Sequence, residues 1–596
     1  MNPFRETIVS DPWRDAAADV PEIQASVFHE CLQGIEQVRR SNRSASLLIH
    51  GGAGAGKTHL LSRLRSRVML TAPTATDRDE CLFVWIRLQT SPRMIWRHVR
   101  RTLVEDWFRP IRGQNSQFNR ILFRRLAEIR VAEGDLEPWY EYMLENHPEG
   151  LDELLDRIAD DLYLDRNTTV AFKHLAFSRH IRDLRAWLGG DSLPDEALTR
   201  LDLTQEDGND EEQEHTARKV VLMLCRLAGK ELPIVLSLDQ VEALQTNSTD
   251  REGLFAFGQL VSTLHDETSN VLIVACVQSA FVMELKDKSR GADYDRMTSL
   301  GARSLSTLTR AEAEKLIASR LAMADPSPPI PTNVDRLWPL EQADFHRLVA
   351  VDELTPRRLL ATCAERFETW LANAANSSSN NALSSINQPT TSAIESPRSE
   401  KTSQSIDDFL KREWDARSER CFQENSPERT EEIVRHGIPE LVTLLAPQWK
   451  LTNDKLLPDV HLILDGPTGE IGISVCTQPN MRTAGVQLKR LKDQFARKRL
   501  TRLIIIQDER RAITKTAKVA QQSLEELLSD GAIVEIPSKE TLANLDALRE
   551  LLSDTKSGDL AVNGENVTPS KVDEWLTQNL PSTLRAFFDQ LTKLSR

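Results

Sequence analysis

Four short apolar runs punctuate the first half of the chain: SLLIH at 46–50, CLFVWIRL at 81–88, PIVLSLD at 233–239 and NVLIVACVQ at 270–278. Each is almost continuously apolar and bounded by turn-forming or polar positions, the pattern of strands buried on both faces of a parallel sheet. Between them, stretches such as MIWRHVRRTLVEDWF and TARKVVLMLCRLAG repeat apolar residues at helical spacing. Strands alternating with helices predict a layered α/β domain over 1–300, with helices on both sheet faces. Beyond it, LTRAEAEKLIASRLA and TPRRLLATCAERFETWL predict a helical lid over 301–372.

The pattern then stops. From 373 to 405 Ser, Asn, Thr and Pro dominate, too little apolar area to offset the entropy of ordering, so a flexible linker is predicted. After it come helix-like IDDFLKREWDARSERCF and TEEIVRHGIPELVTLLA, strand-like VHLILD and EIGISVCTQ, helix-like AGVQLKRLKDQFARKR, strand-like LTRLIIIQ, helix-like KVAQQSLEELLSD and strand-like AIVEIP. That order predicts a second, smaller α/β domain over 406–556. The tail over 557–596 reads as two amphipathic helices for packing or partner docking.

Composition narrows the class. The 596 residues suggest three or four domains, and 40% hydrophobic with 28% charged residues excludes wholesale disorder or a fibrous repeat. A net charge of −14 argues against general coating of polyanions, so any nucleic-acid contact must be local. The seven cysteines form no C-x-x-C pair and read as reduced interior residues, which points to the cytoplasm. The N-terminus has no apolar leader core and no stretch reaches a membrane span, so no membrane is expected.

The strongest chemical signal is Gly51-Gly52-Ala53-Gly54-Ala55-Gly56-Lys57-Thr58, a match to G-x-x-x-x-G-K-[ST] between a predicted strand and a predicted helix opening at His59. Glycines allow a tight loop whose inward N–H groups, with the helix N-terminus, bind the β- and γ-phosphates of ATP. Lys57 is assigned to the phosphates and Thr58 to Mg²⁺. The run ending in Asp239 places a carboxylate at a strand's carboxyl edge, suited to the Mg²⁺ shell, with Glu242 or Gln240 orienting the attacking water. Many lidded P-loop ATPases carry Glu directly after this Asp, where Gln240 stands here, so hydrolysis is expected to be slow or to use Glu242. Gln278 is a candidate γ-phosphate sensor or a plain loop start, Arg296 a candidate arginine finger toward a neighbouring subunit, and Arg357 or Arg358 a candidate closer of the lid.

These residues resemble AAA+ ATPases of the origin-recognition (initiator) and STAND-like branch, particularly those of bacterial defence and mobile-element systems. The resemblance covers roughly 2–371 through NPFRE, GGAGAGKTHLL, LSLDQVEAL, LTRAEAEKLIASRL and TPRRLL. It implies ATP-controlled assembly or conformational switching on a nucleic-acid or protein partner, or in a homo-oligomer. One departure is large: about 180 residues separate Lys57 from Asp239, more than a P-loop core needs, so a helical insertion is predicted at about 93–213. Its arginine-rich first half reads as solvated helix faces, with a partner or nucleic-acid surface as the alternative.

The C-terminal element order resembles the restriction-endonuclease-like fold of PD-(D/E)xK nucleases. Pro458-Asp459 matches the first acidic position, but where that family carries acidic-x-Lys this chain reads Ser474-Val475-Cys476. Metal-dependent cleavage needs at least two carboxylates and usually a lysine, so a degenerate domain retained for binding is expected. LKRLKDQFARKRLTR is a candidate DNA-contacting helix, or a solvated face. Three functions are thus in play: an ATPase, a nucleotide-gated scaffold that scarcely hydrolyses, and an ATP-dependent nuclease, the last disfavoured.

Overall fold

The computed structural model describes residues 2–4, 12–13, 19–70, 80–88, 92–109, 116–129, 136–205, 208–229, 232–244, 251–323, 334–350, 354–383, 406–452, 457, 459–467, 469–478, 480–496, 500–514, 517–556, 560–562 and 565–592. The first half is built on a parallel sheet of β1 (Ala45–Gly51), β2 (Leu82–Arg87), β3 (Ile234–Asp239), β4 (Val271–Gln278) and β5 (Ala302–Ser304), in the order β2-β3-β4-β1-β5. Four strands are the predicted runs. The fifth, Ala-Arg-Ser at a half-exposed edge, carries no apolar signature, so the sheet extends past the expected boundary at 300.

Alternate side chains on each central strand enter opposite cores. Leu47 and Ile49 join Phe83, Val235 and Val274 under the helices Ala25–Ser41 and Lys57–Val68. Leu48 joins Val84, Leu236 and Ile273 under Ile95–Trp107, Asp210–Ala228 and Glu252–Glu267. The predicted insertion runs from the helix Ile95–Trp107 to Asp195–Leu201, and its later helices feed Phe118, Leu151, Phe172 and Trp187 into that second core. The insertion is therefore continuous with the sheet's packing rather than a separately cored unit.

Its arginines correct the expectation of solvated faces. Arg97 donates to Gln213 and Asp210, Arg100 is buried against the carbonyls of Leu188 and Trp187, and Arg101 pairs with Asp191. Planar guanidinium groups with fixed donors suit such enclosed contacts.

The lid helices Arg310–Ala322, Gln342–Ala350 and Pro356–Leu383 share a core with Phe4, Val20 and Ile23 from the chain's start. The last helix runs through the first residues of the predicted linker, of which 384–405 lie outside the described residues. The second sheet is mixed: β6 (Lys450–Leu451), β7 (Leu462–Gly466), β8 (Gly469–Val475), β9 (Arg502–Ile506) and β10 (Ile533–Glu535), ordered β10-β9-β8-β7-β6. The pairs β6/β7 and β7/β8 are antiparallel, β8/β9 and β9/β10 parallel. One face is covered by Met481–Ala496 and Lys518–Ser529, the other by Ile406–Glu424, Thr430–Leu445 and Lys539–Lys556. Sequence reading had no assignment for Lys539–Lys556, although it is buried along most of its length. The tail helices Pro569–Asn579 and Ser582–Thr592 insert Val572, Trp575, Leu584 and Phe587 into the same core, so these two helices complete this domain instead of standing apart from it. Among the described residues no helix is long and apolar enough to cross a membrane.

Candidate functional site

In the strand order, β4 separates β1 from β3, with Gly51 opposite Gln278 and Leu238 opposite Ala275. Three carboxyl edges thus meet at one crevice, the position where open α/β sheets bind ligands. The glycine-rich loop leaves β1 there and enters the helix Lys57–Val68. Gly56 adopts φ 99°, and a Cβ on it would meet nothing within 4 Å, so glycine is required there by the backbone conformation and not by crowding. Lys57 Nζ arches over the loop to the Gly51 and Gly52 carbonyls at 3.0 and 3.2 Å.

The decisive contact spans 181 positions of sequence: Thr58 Oγ1 donates to Asp239 Oδ2 at 3.0 Å. The Trp85 indole N–H reaches the same oxygen at 3.4 Å, while the Gln240 amide donates to Asp239 Oδ1. A hydroxyl and a carboxylate beside the glycine loop form a hard-oxygen donor set of the kind Mg²⁺ takes. Gln240 turns the chain with φ 57°, and Glu242 follows on a short 3₁₀ turn, Val241–Leu244.

A cavity of about 110 Å³ opens from this point. Its lining includes Gly54 to His59, Asp239, Gln240 and Glu242, and it is closed by Arg320 and Arg357 from the lid and by Val20 and Ile23 from the start of the chain. Arg357 packs so tightly on the loop that a Cβ on Gly54, itself at φ 75°, would lie 2.6 Å from the Arg357 Cβ. Its neighbour Arg358 does not line the cavity. The opposite rim is stapled by charge: Asp19 pairs with His59 and Arg63, and Arg63 also donates to the Pro21 and Ile23 carbonyls. Burial works to raise the Asp19 carboxyl, yet the His59 hydrogen bond and the Arg63 charge outweigh it and hold it below the usual range. At His50, burial and then Lys57 lower the imidazole.

Ten of the sequence candidates thus converge on the cavity: Gly54, Ala55, Gly56, Lys57, Thr58, His59, Asp239, Gln240, Glu242 and Arg357. Gly51, Gly52, Ala53 and Gln278 stand just behind, at the strand ends and the loop's entry, without lining the cavity. Arg296 is not brought to it. That residue pairs with Asp266 at 2.7 Å and donates to the Ala292 carbonyl, near the amino end of the sheet, so within one chain it has no access to the cavity. Sequence reading missed Val20, Ile23, Arg63 and Arg320. Only Arg320 carried a signal, as a cation on the lid helix; the others depend on how the first residues fold back.

At the second sheet the candidate chemistry dissolves. Asp459, at φ 63°, accepts both arms of Arg490, at 2.7 and 3.1 Å; Pro458 lies outside the described residues. Ser474 and Cys476 are buried, and burial pushes the Cys476 thiol up to about 12. On the basic helix Lys492 pairs with Glu526, leaving Lys489 exposed, and Lys498 and Arg499 lie outside the described residues. No family model matches the chain, and no curated protein is significantly similar to it.

Proposed function

We propose that the chain is an ATP-binding switch protein of the AAA+ type, in the initiator and STAND-like branch, whose P-loop domain controls a C-terminal recognition domain. The single observation that carries this is the contact of Thr58 with Asp239 beneath the glycine loop, in a cavity closed by lid arginines. On this reading the loop amides and Lys57 hold the phosphates, and Thr58 and Asp239 hold Mg²⁺, which would neutralise charge developing on the phosphoryl oxygens. Arg357 and Arg320 hold the lid against the nucleotide, and Val20 and Ile23 offer an apolar wall to its base. Glu242 is the residue assigned to orient water.

A second reading, a nucleotide-gated scaffold with little turnover, is favoured by Gln240 in the place of a carboxylate. The endonuclease-like resemblance is carried forward as a binding domain without cleavage, since Arg490 occupies both oxygens of Asp459. DNA and protein partners both remain within this proposal, as does a setting in bacterial defence or DNA maintenance. Isothermal titration with ATP and Mg²⁺ tests the core of it: Lys57→Ala should weaken binding on the order of 100-fold or more, because it removes a charge-assisted phosphate contact. Equal affinity for both proteins would refute the assignment. Turnover measured with and without DNA separates the ATPase from the scaffold.

A further inference from the structure

Where the insertion meets the C-terminal domain, Asp210, Glu431 and His461 bring ligand-type atoms within 4.8 Å of one another, yet this cluster does not suit a cation. His461 Nδ1 accepts the Val475 N–H at 2.7 Å, so a neutral ring carries its proton on Nε2 and has no lone pair left for a metal. Arg435 pairs with both carboxylates, at 2.7 and 2.9 Å. The carboxylate beside the glycine loop is held differently.

Asp239 is only 2% exposed, and both of its oxygens are occupied by donors. Oδ1 accepts the Gln240 N–H at 3.1 Å; Oδ2 accepts the Thr58 hydroxyl at 3.0 Å and the Trp85 indole N–H at 3.4 Å. Thr58 comes from the loop and lines the cavity, whereas Trp85 comes from the neighbouring strand and does not line it. In the β2/β3 register Trp85 is opposite Ser237 and Arg87 opposite Asp239, so the indole reaches its acceptor diagonally, a span that large aromatic side chains cover. The ring is itself anchored. Its backbone N–H donates to buried Asp106 at 2.9 Å, the Arg87 guanidinium lies 5.2 Å from the ring centroid, and the ring packs on the core formed by Phe83, Val235 and Val274.

We infer that Trp85 is a positioning residue for the divalent cation, its indole N–H fixing the plane of the Asp239 carboxylate so that Oδ2 is presented beside the Thr58 oxygen. The inference rests on the ATP reading of the site. The terminal torsion of an aspartate is broad and roughly two-fold, so the plane of its carboxylate is set by the donors around it. Mg²⁺ demands near-ideal octahedral geometry, which makes a ligand that swings a poor one. Groups that hydrogen-bond a metal ligand from behind orient it and raise the affinity of the site. An indole suits this task because it is a donor only: it can hold the carboxylate without taking the metal itself.

The test is isothermal titration of ATP into the full chain at a series of free Mg²⁺ concentrations and again in EDTA, for wild type and for Trp85→Phe, which keeps a ring on the same core and removes the N–H. The Mg²⁺ concentration giving half of the full gain in ATP affinity should rise about 10- to 100-fold in the variant. Affinity in EDTA, which Lys57 and the loop amides set, should move far less. If Trp85→Phe misfolds, the benzothiophene isostere of tryptophan at position 85 exchanges the N–H for sulfur at nearly the same shape and carries the same expectation. An unmoved Mg²⁺ midpoint overturns the positioning role. So does an equal loss of affinity in Mg²⁺ and in EDTA, which reduces Trp85 to packing. A wild type that binds no ATP, or binds it with no response to Mg²⁺, overturns the reading of Thr58 and Asp239 and the inference with it, and is seen before any variant is titrated.

Discussion

The chain presents two sheet edges, each with an aspartate, and among the described residues only the first of these aspartates lines a cavity beside a glycine loop. At the parallel sheet Asp239 accepts from the Thr58 hydroxyl and the Trp85 indole on one oxygen and from the Gln240 backbone N–H on the other. At the mixed sheet Asp459 is held by both arms of Arg490, so its charge is neutralised and its oxygens are directed into a fixed fork. Around Asp239 lie a glycine loop, a lysine and a cavity; around Asp459 lie buried Ser474 and Cys476. Two aspartates at strand ends are thus set in different surroundings by the side chains the fold brings to them.

The largest expected effect that would break the contrast is at Glu242. If Glu242 orients water, Glu242→Gln keeps ATP binding and slows turnover about 10²- to 10⁴-fold, while Gln240→Ala changes it far less; single-turnover hydrolysis measures both, and the reverse ranking moves the assignment to Gln240. Next comes the lid. Gly54→Ala places a Cβ 2.6 Å from that of Arg357 at a positive φ, so the lid must back away, and ATP binding should weaken by about 1–3 kcal/mol in titration.

At the other edge the effects concern stability. Arg490→Met leaves the enclosed Asp459 carboxylate without its partner and should lower the stability of the C-terminal domain by roughly 1–3 kcal/mol in urea unfolding, without creating Mg²⁺-dependent DNA cleavage. Cleavage in that variant would show that Arg490 masks a competent site.

The smallest effect sharpens the boundary between the two domains. Burial lowers the His461 imidazole from 6.5 to about 4; Arg435 and Arg97 push it the same way, and Glu431 and Asp210 oppose them. Its folded value lies below its unfolded one, so its contribution is full above pH 6.5 and is lost as pH falls from there toward 4. Exchange at 430–436 should therefore quicken over that interval, after correction for the intrinsic pH dependence of exchange. Replacement of His461 by Gln should flatten the change, whereas an unaltered profile would place the sensitivity at His98 or His436, which burial also lowers.

Sequence by itself determined the local devices. Four of the five parallel strands, the glycine loop, Lys57, Thr58 and Asp239 were legible because each is specified by neighbours a few positions away: apolar runs by burial on both faces, the loop by glycine's access to positive φ. The helix Lys539–Lys556 was not, because its burial on most sides erases the two-faced periodicity by which helices are read. Tertiary structure decided what lay far apart in the chain. It brought Val20 and Ile23 to the lid, joined Thr58 to Asp239, sent Arg296 away from the cavity and spent the insertion's arginines on Asp191, Asp210 and backbone carbonyls. An arginine looks the same in sequence whether it faces water, phosphate or a buried carboxylate, and only the fold brings up the partner that settles which.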